Sequence, residues 1–285
     1  MIYNKIEINT NLKQFDKDME VKDKLNIDEI LVLKWRGLSP SQISKTDLKA
    51  FDKLYEEDPE EFDRLIDKAN SIFDKQEVLG IKTISIQDED YPERLKKIGN
   101  EAPVLIHMLG NTDLLKREKA VAIIGARSAD KEGNSKAYEL GKKYAEEGNV
   151  IVSGLALGCD KAGHEGCLAV NGETIAIVGS GLDIVHPKEN TDLQKRILEA
   201  GGLILSEQLI RTKANPTTLV ARNRLQAALS DAVILAQCPA QSGSLHTMRF
   251  ARQYRKKSLA VKFPKRTEAN AGNFDLIENN LAQPL

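Results

Sequence analysis

The chain has 285 residues, 41% of them hydrophobic and 29% charged, with a formal net charge of −1. That length allows one large domain and a small one, in the composition of an ordinary water-soluble protein. No run of 18 or more apolar residues is present, which excludes a membrane-spanning helix.

The opening residues, MIYNKIEINTNLKQFDKDMEVKDK, contain no apolar core of signal-peptide length. The three cysteines (Cys159, Cys167 and Cys238) form no CxxC pair, and an odd count argues against a disulfide framework. A reducing cytoplasm is the default location. Residues 1–77 carry 13 Lys/Arg against 18 Asp/Glu, and residues 78–285 carry 28 against 24. The larger part is mildly basic, which permits an anionic partner without requiring one.

Residues 20–77 read as a charged, helical segment broken at Gly37-Leu38-Ser39-Pro40 and at Asp58-Pro59, because the residue before a proline avoids helical geometry. This predicts a small all-α domain over 1–77. After Gly80 the pattern changes: IKTISIQ alternates as a short strand and Tyr91-Pro92 opens a turn before PERLKKIG. Strands follow at VAIIG (121–125), NVIVSG (149–154), TIAIVG (174–179), LILSE (203–207), AVILAQ (232–237) and SLAVKF (258–263). Helical stretches near 133–147, 160–170, 189–199, 218–229 and 243–255 separate them. Short apolar runs alternating with helices of ten or more residues predict a doubly wound, mostly parallel, Rossmann-like α/β sheet over 78–285. FPKRTEANAGNF reads as a surface loop before the terminal DLIENNLA.

Glycines cluster where strands give way to helices: Gly125-Ala126-Arg127-Ser128, Ser153-Gly154 to Gly158, Gly179-Ser180-Gly181, and Ser242-Gly243-Ser244. In an open parallel sheet these turns share the carboxyl edge, where ligands bind. Glycine admits close backbone approach and helix starts offer N–H groups to anions, so four turns on one edge predict an anion-binding groove. Neither GxxxxGK[ST] nor GxGxxG is present, and no acidic residue ends the second strand to take a ribose. Arg127, Lys188, Arg222 and Arg224 (the last two flanking Asn223) add cations suited to phosphate oxygens.

Asp160, His164 and Cys167 stand at i, i+4 and i+7 on one helix face. A metal site or a packed face fits that spacing. Asp160 stands where an N-cap is wanted, so it and His164 are read as capping and packing groups, with no metal and no cofactor.

Taken together, DEDYPERLKKI, VAIIGARS, VSGLALGCDKAGHEGCL, TIAIVGSGLDIVHPKEN, LILSE, ARNRLQAALSDAVILAQ, SGSLHTMRFA and NFDLIENN resemble, in order and spacing, the DNA-processing protein A family (DprA, also called Smf). The resemblance covers residues 78–282. It implies an extended Rossmann domain behind a helical SAM-like one, and a non-enzymatic protein that binds and protects single-stranded DNA. It also implies loading of RecA recombinase in DNA uptake, natural transformation and recombination, and homodimerisation. By position, Arg127 and Lys188 match the family's DNA-contacting Arg and Lys. Ser153, Gly154, Gly179 and Gly181 match its pocket floor, and Arg222-Asn223-Arg224 its Arg-Asn-Arg element. Departures are Ala126 for the usual Thr or Ser, His186 for Tyr, Thr-Leu-Val for Phe-Pro, and Gln237 for an acidic residue. The family's usual Ala stands as Cys167, and no segment matches the winged-helix domain that many members append.

Two other readings use the same pocket. One is a non-enzymatic nucleotide sensor, and the other an enzyme similar to the nucleotide phosphoribohydrolases, whose signature glutamate is replaced by Gln253. A base-stacking role for Tyr138, Tyr144, Phe250 or Tyr254 rests only on proximity in sequence.

Overall fold

The computed structural model describes residues 24–285; the first 23 residues of the small domain expected over 1–77 lie outside the described residues. Residues 27–78 form four helices, α1 (Ile27–Trp35), α2 (Pro40–Ile43), α3 (Leu48–Glu57) and α4 (Pro59–Val78). The breaks follow the turn chemistry. Gly37 takes φ +87 to end α1, Ser39 accepts the Gln42 N–H with Pro40 in the first helical position, and Asp58 accepts the Glu61 N–H with Pro59 likewise. Phe51 and Tyr55 meet Phe62 edge-on and close this unit's apolar side.

The rest of the chain builds one nine-stranded sheet. Its strands are β1 (Lys82–Ser85), β2 (Leu105–Gly110), β3 (Ala120–Ile124), β4 (Val150–Ser153), β5 (Thr174–Val178), β6 (Leu203–Ser206), β7 (Ala232–Leu235), β8 (Lys257–Ala260) and β9 (Gln283–Pro284). The order across the sheet is β1-β2-β6-β5-β4-β3-β7-β8-β9, parallel from β6 to β9 and antiparallel at β1–β2 and β2–β6. Six strands lie where the apolar runs place them. β2 is an addition to the sequence reading. Its LIHM run is interrupted by His107 and flanked by the short turns 99–101 and 112–116, so it lacks the bounding helices that mark the other strands.

Seven helices accompany the sheet: α5 (Glu93–Lys96), α6 (Lys131–Glu146), α7 (Cys159–Leu168), α8 (Thr191–Glu199), α9 (Pro216–Leu229), α10 (Ser244–Gln253) and α11 (Ala271–Glu278). Alternate strand residues feed opposite faces, so both faces of β3 are buried. Val121 and Ile123 pack with Ala137 and Leu140 of α6 and Cys159 and Ala162 of α7. Ala122 and Ile124 join the cluster of Leu225 of α9, Met248 of α10 and Ile30 to Leu33 of α1, so the helical segment and this face share one core.

After β3 the chain moves outward through β4, β5 and β6, and α9 then carries it back to β7 on the other flank of β3. The carboxyl ends of β3 and β7 therefore border the switch-point crevice where open α/β sheets bind ligands.

Candidate nucleic-acid interface

A cavity of about 450 Å³ occupies that crevice. The turn Gly125 to Ser128 and the start of α10 form its rim. Asn223 and Gln226 of α9 and Thr247 of α10 form a wall, and Asp160 and Arg222 close the floor. Arg127 and Ser128 are exposed, and the Arg127 guanidinium meets no hydrogen-bond or ion-pair partner among the described residues. Ser244 Oγ donates to the Gly125 carbonyl at 2.7 Å and ties α10 to the turn after β3. The Ser242 hydroxyl accepts the Ser244 N–H at 3.3 Å. A Cβ on Gly243 would meet nothing within 4 Å, so this glycine fronts open space. Asn223 Nδ2 reaches the Gly243 carbonyl at 3.4 Å.

In the other turns the glycines are required by packing. A Cβ on Gly154 would stand 1.5 Å from the Arg222 guanidinium, and one on Gly158, at φ +71, 2.2 Å from the Ala126 carbonyl. One on Gly179 would press on Leu219 at 3.2 Å, and one on Gly181 on the Leu209 carbonyl at 2.5 Å. The missing side chains make room for protein. Ser153 and Ser180 are fully buried and donate to the Ile123 and Ile184 carbonyls at 2.6 and 2.8 Å. Several helix-start N–H groups are likewise spent, Cys159 on Ala126 and Leu245 on Ser242. An anion here is left to the side chains and to the positive end of the α10 dipole.

Arg222 and Asp160 lie below, 6% and 5% exposed. Arg222 donates to the Ile177 carbonyl at 2.7 Å and lies 3.8 Å from the Asp160 carboxylate. Asp160 accepts the Gly154 and Ala156 N–H groups at 3.1 and 3.4 Å. Gly158 is the N-cap of α7, so Asp160 does not cap the helix; it clamps the preceding loop from the first turn. Burial pushes the Asp160 carboxyl up against the pull of Arg222.

His164 is fully buried. Thr174 commits its hydroxyl proton to the Ile151 carbonyl at 2.7 Å, so His164 Nδ1 donates to Thr174 Oγ1, also at 2.7 Å. Burial, then the Arg222 charge, pushes its imidazole down to about 3, so it is neutral at physiological pH. Cys167 contacts the Glu173 carbonyl and is pushed up to about 12 by burial. Asp160, His164 and Cys167 thus serve three separate contacts, and among the described residues no group of three His, Cys, Asp or Glu could hold a metal ion.

Lys188 is exposed on the same edge, outside the cavity, with no side-chain partner among the described residues. Its turn is fixed by the buried Asn190, whose Nδ2 donates to the Leu155 carbonyl at 2.8 Å. Arg224 points elsewhere. It bonds the Glu101 carbonyl at 2.6 Å and Glu207 at 2.5 Å, beside Lys34 of α1. Residues two apart on a helix lie on different faces, so Arg222 and Arg224 could not both line one groove. That same periodicity finds Gln226 beside Asn223 and Thr247 beside Ser244. The sequence reading missed Lys213 as well. It is exposed, and follows Thr212, whose carbonyl accepts the Gly181 N–H at 2.9 Å. Among the described residues, no aromatic side chain lines the cavity. Phe250 and Tyr254 stack on each other, and Tyr254 bonds Glu101.

The sequence model of the DNA recombination-mediator protein A family matches residues 82–285. DNA processing protein DprA of Streptococcus pneumoniae is 41% identical over 179 residues, 63% of this chain and 62% of that protein. Protein Smf of Synechocystis is 36% identical over 195 residues, 67% and 48% respectively. DprA of Bacillus subtilis is 30% identical over 240 residues, 81% of this chain and 78% of that one. The chain therefore spans roughly half to three fifths of the first two relatives. The X-ray structure of the pneumococcal protein superposes with a TM-score of 0.76 at 32% identity, over 92% of this chain and 95% of that one. DNA processing protein A of Helicobacter pylori, whose structure is described by its single-stranded DNA binding mode, gives 0.65 at 33% identity, over 72% and 90%.

Proposed function

The chain belongs to the DNA recombination-mediator protein A family, and from that premise we propose that its carboxyl-edge groove binds single-stranded DNA. One observation carries the reading. Arg127 stands exposed over a switch-point cavity, on the same edge as Lys188, and neither side chain has a partner among the described residues. Unpaired cations give up no existing contact when they meet phosphate, and a row of them tracks a backbone as a single charged pocket cannot.

The role is binding without catalysis. Asp160, the carboxylate of the cavity, is engaged by two N–H donors and a guanidinium, and the thiols of Cys159 and Cys238 are buried behind the lining and pushed up to about 12. No activated nucleophile and base face each other there among the described residues. The three free, buried cysteines suit a reducing cytoplasm. No described helix is long and apolar enough to cross a membrane. The proposed partner is RecA recombinase, loaded onto the protected strand, and the proposed assembly is a homodimer.

Fluorescence anisotropy with a labelled oligothymidylate, competed by free mononucleotides, tests the DNA reading. Nanomolar to micromolar binding that a mononucleotide displaces poorly supports it. Tighter binding of the mononucleotide would make the protein a nucleotide sensor instead. Capture of RecA on the protein–DNA complex, and sedimentation of the free protein, test partner and assembly.

A further inference from the structure

A second surface lies at the far end of the same edge. The C-terminus of α4 meets the loop after β6 around a hollow of about 550 Å³, lined by Val78, Leu79, Ile210, Arg211, Lys75 and Asp183, with Ser71 and Asp74 on the α4 side. Val78 is 87% exposed and Leu79 50% exposed, adjacent residues that leave an apolar pair in solvent. Arg211 holds a left-handed backbone, φ +67, which costs a non-glycine residue about 1 kcal/mol. Both Asp183 carboxylate oxygens accept the Arg211 N–H, each at 2.9 Å, so the conformation is pinned while the guanidinium has no partner among the described residues.

The hollow continues the cationic line. Arg127 follows β3, Lys188 follows β5 and Arg211 follows β6 along adjacent carboxyl ends, about 5 Å per strand. The β6 loop is joined to the β5 turn through the Gly181 N–H and the Thr212 carbonyl. A strand crossing the sheet toward β6 therefore arrives at Arg211 and then at Val78 and Leu79. The switch-point cavity offers bases Leu219, Val220 and Pro239 and, among the described residues, no aromatic platform; Val78, Leu79 and Ile210 offer further aliphatic faces of the kind that sandwich bases in other nucleic-acid sites. Lys75 and Arg211 balance Asp74 and Asp183 around the hollow, which leaves its apolar part to the uncharged bases. A protein partner fits less well. A stable interface buries on the order of 1,200 Å² or more, whereas among the described residues Val78 and Leu79 are the only strongly exposed large apolar ones at this end.

We propose that this hollow is an extension of the DNA site, in which Val78, Leu79 and Ile210 pack against bases and Arg211 takes the adjoining phosphate. The inference rests on the single-stranded DNA reading, and a two-length binding assay separates the two. The probes are an oligothymidylate of about six nucleotides, enough for the switch-point groove, and one of about twenty. Wild type is compared with Val78→Ser/Leu79→Ser, Arg211→Ser, and Val78→Trp, which adds a stacking face at an exposed position.

The serine variants are expected to weaken the long oligomer about tenfold and the short one less than twofold, while Val78→Trp tightens the long one. Equal affinities for the long oligomer in all four proteins would overturn the inference and leave the groove reading intact. Equal loss on both lengths would also overturn it, by placing the patch within the first site. A change of sedimentation coefficient in the serine variants with unchanged DNA affinity would assign the hollow to self-association, against the proposal. Failure of wild type to bind either oligomer would refute the groove reading itself.

Discussion

The carboxyl edge and the floor beneath it use the same residue types for opposite purposes. On the edge, Arg127, Lys188 and Lys213 are exposed and lack partners among the described residues. In the floor, Arg222 donates to a carbonyl and faces Asp160, and Gly154 has no Cβ because that guanidinium occupies its place. Arg224, one turn-face away, is spent on Glu101 and Glu207. Cations already matched inside the protein hold the loops; cations left unmatched outside are the ones available to phosphate. The separation is energetic. Removing a buried partner strands a charge, whereas removing an exposed one strands nothing.

The sharpest way to break this contrast is Arg222→Ala. It leaves the Asp160 carboxylate buried beside a void and is expected to cost about 3–5 kcal/mol of stability in urea denaturation. An Arg222→Ala protein as stable as wild type but defective in binding would move Arg222 to the edge. Next comes Gln237→Glu. The Gln237 amide accepts the Asp130 N–H at 3.1 Å and donates to the Asp130 carboxylate at 3.0 Å. A carboxylate there cannot donate and would face Asp130, so a loss of about 1–3 kcal/mol is expected. Unchanged stability would mean that this pair is not what holds the start of α6.

A pH titration probes the interior further. Burial pushes His164, behind the floor, and His107 of β2, which bonds Gln76 and Thr83, down to about 3 from an ordinary 6.5. The unfolded chain then takes up protons that the folded one refuses. Stability from these groups is complete above pH 6.5 and falls toward pH 3 by about 1.4 kcal/mol per pH unit for each imidazole. Asp160, whose carboxyl is raised, returns part of this as it protonates. Imidazole NMR shifts of these two residues that stay flat to pH 5 would agree; titration near 6.5 would place them in water.

Much of this was legible in the residues. VAIIG, NVIVSG, TIAIVG, LILSE, AVILAQ and SLAVKF carry the parallel strands because apolar runs bounded by helices have one solution. LIHMLG escaped because His107 interrupts its apolar run and no long helix bounds it, and Gln283-Pro284 because two residues make no pattern. Arg127 and Lys188 were readable as cations of the carboxyl edge, since each follows a strand in a turn, and both are exposed there. Which of the Arg-Asn-Arg side chains faces the groove required the phase of α9. The partners of Ser153 and Ser180 are backbone carbonyls of other segments, which no local pattern encodes. Asp160 read as a cap because its place in the helix differs from the true N-cap by two residues, within the ordinary uncertainty of helix ends.

The smallest effect on stability should come from the edge, where Arg127→Ala and Lys188→Ala are expected to stay within about 0.5 kcal/mol of wild type. Their effect on binding is the most direct test of the central claim. The measurement is the slope of log K against log salt for a short oligothymidylate, in wild type and in both variants. If these cations meet phosphates, affinity falls and each substitution flattens the slope by about 0.7. Folded variants that keep the wild-type slope and affinity would contradict the account.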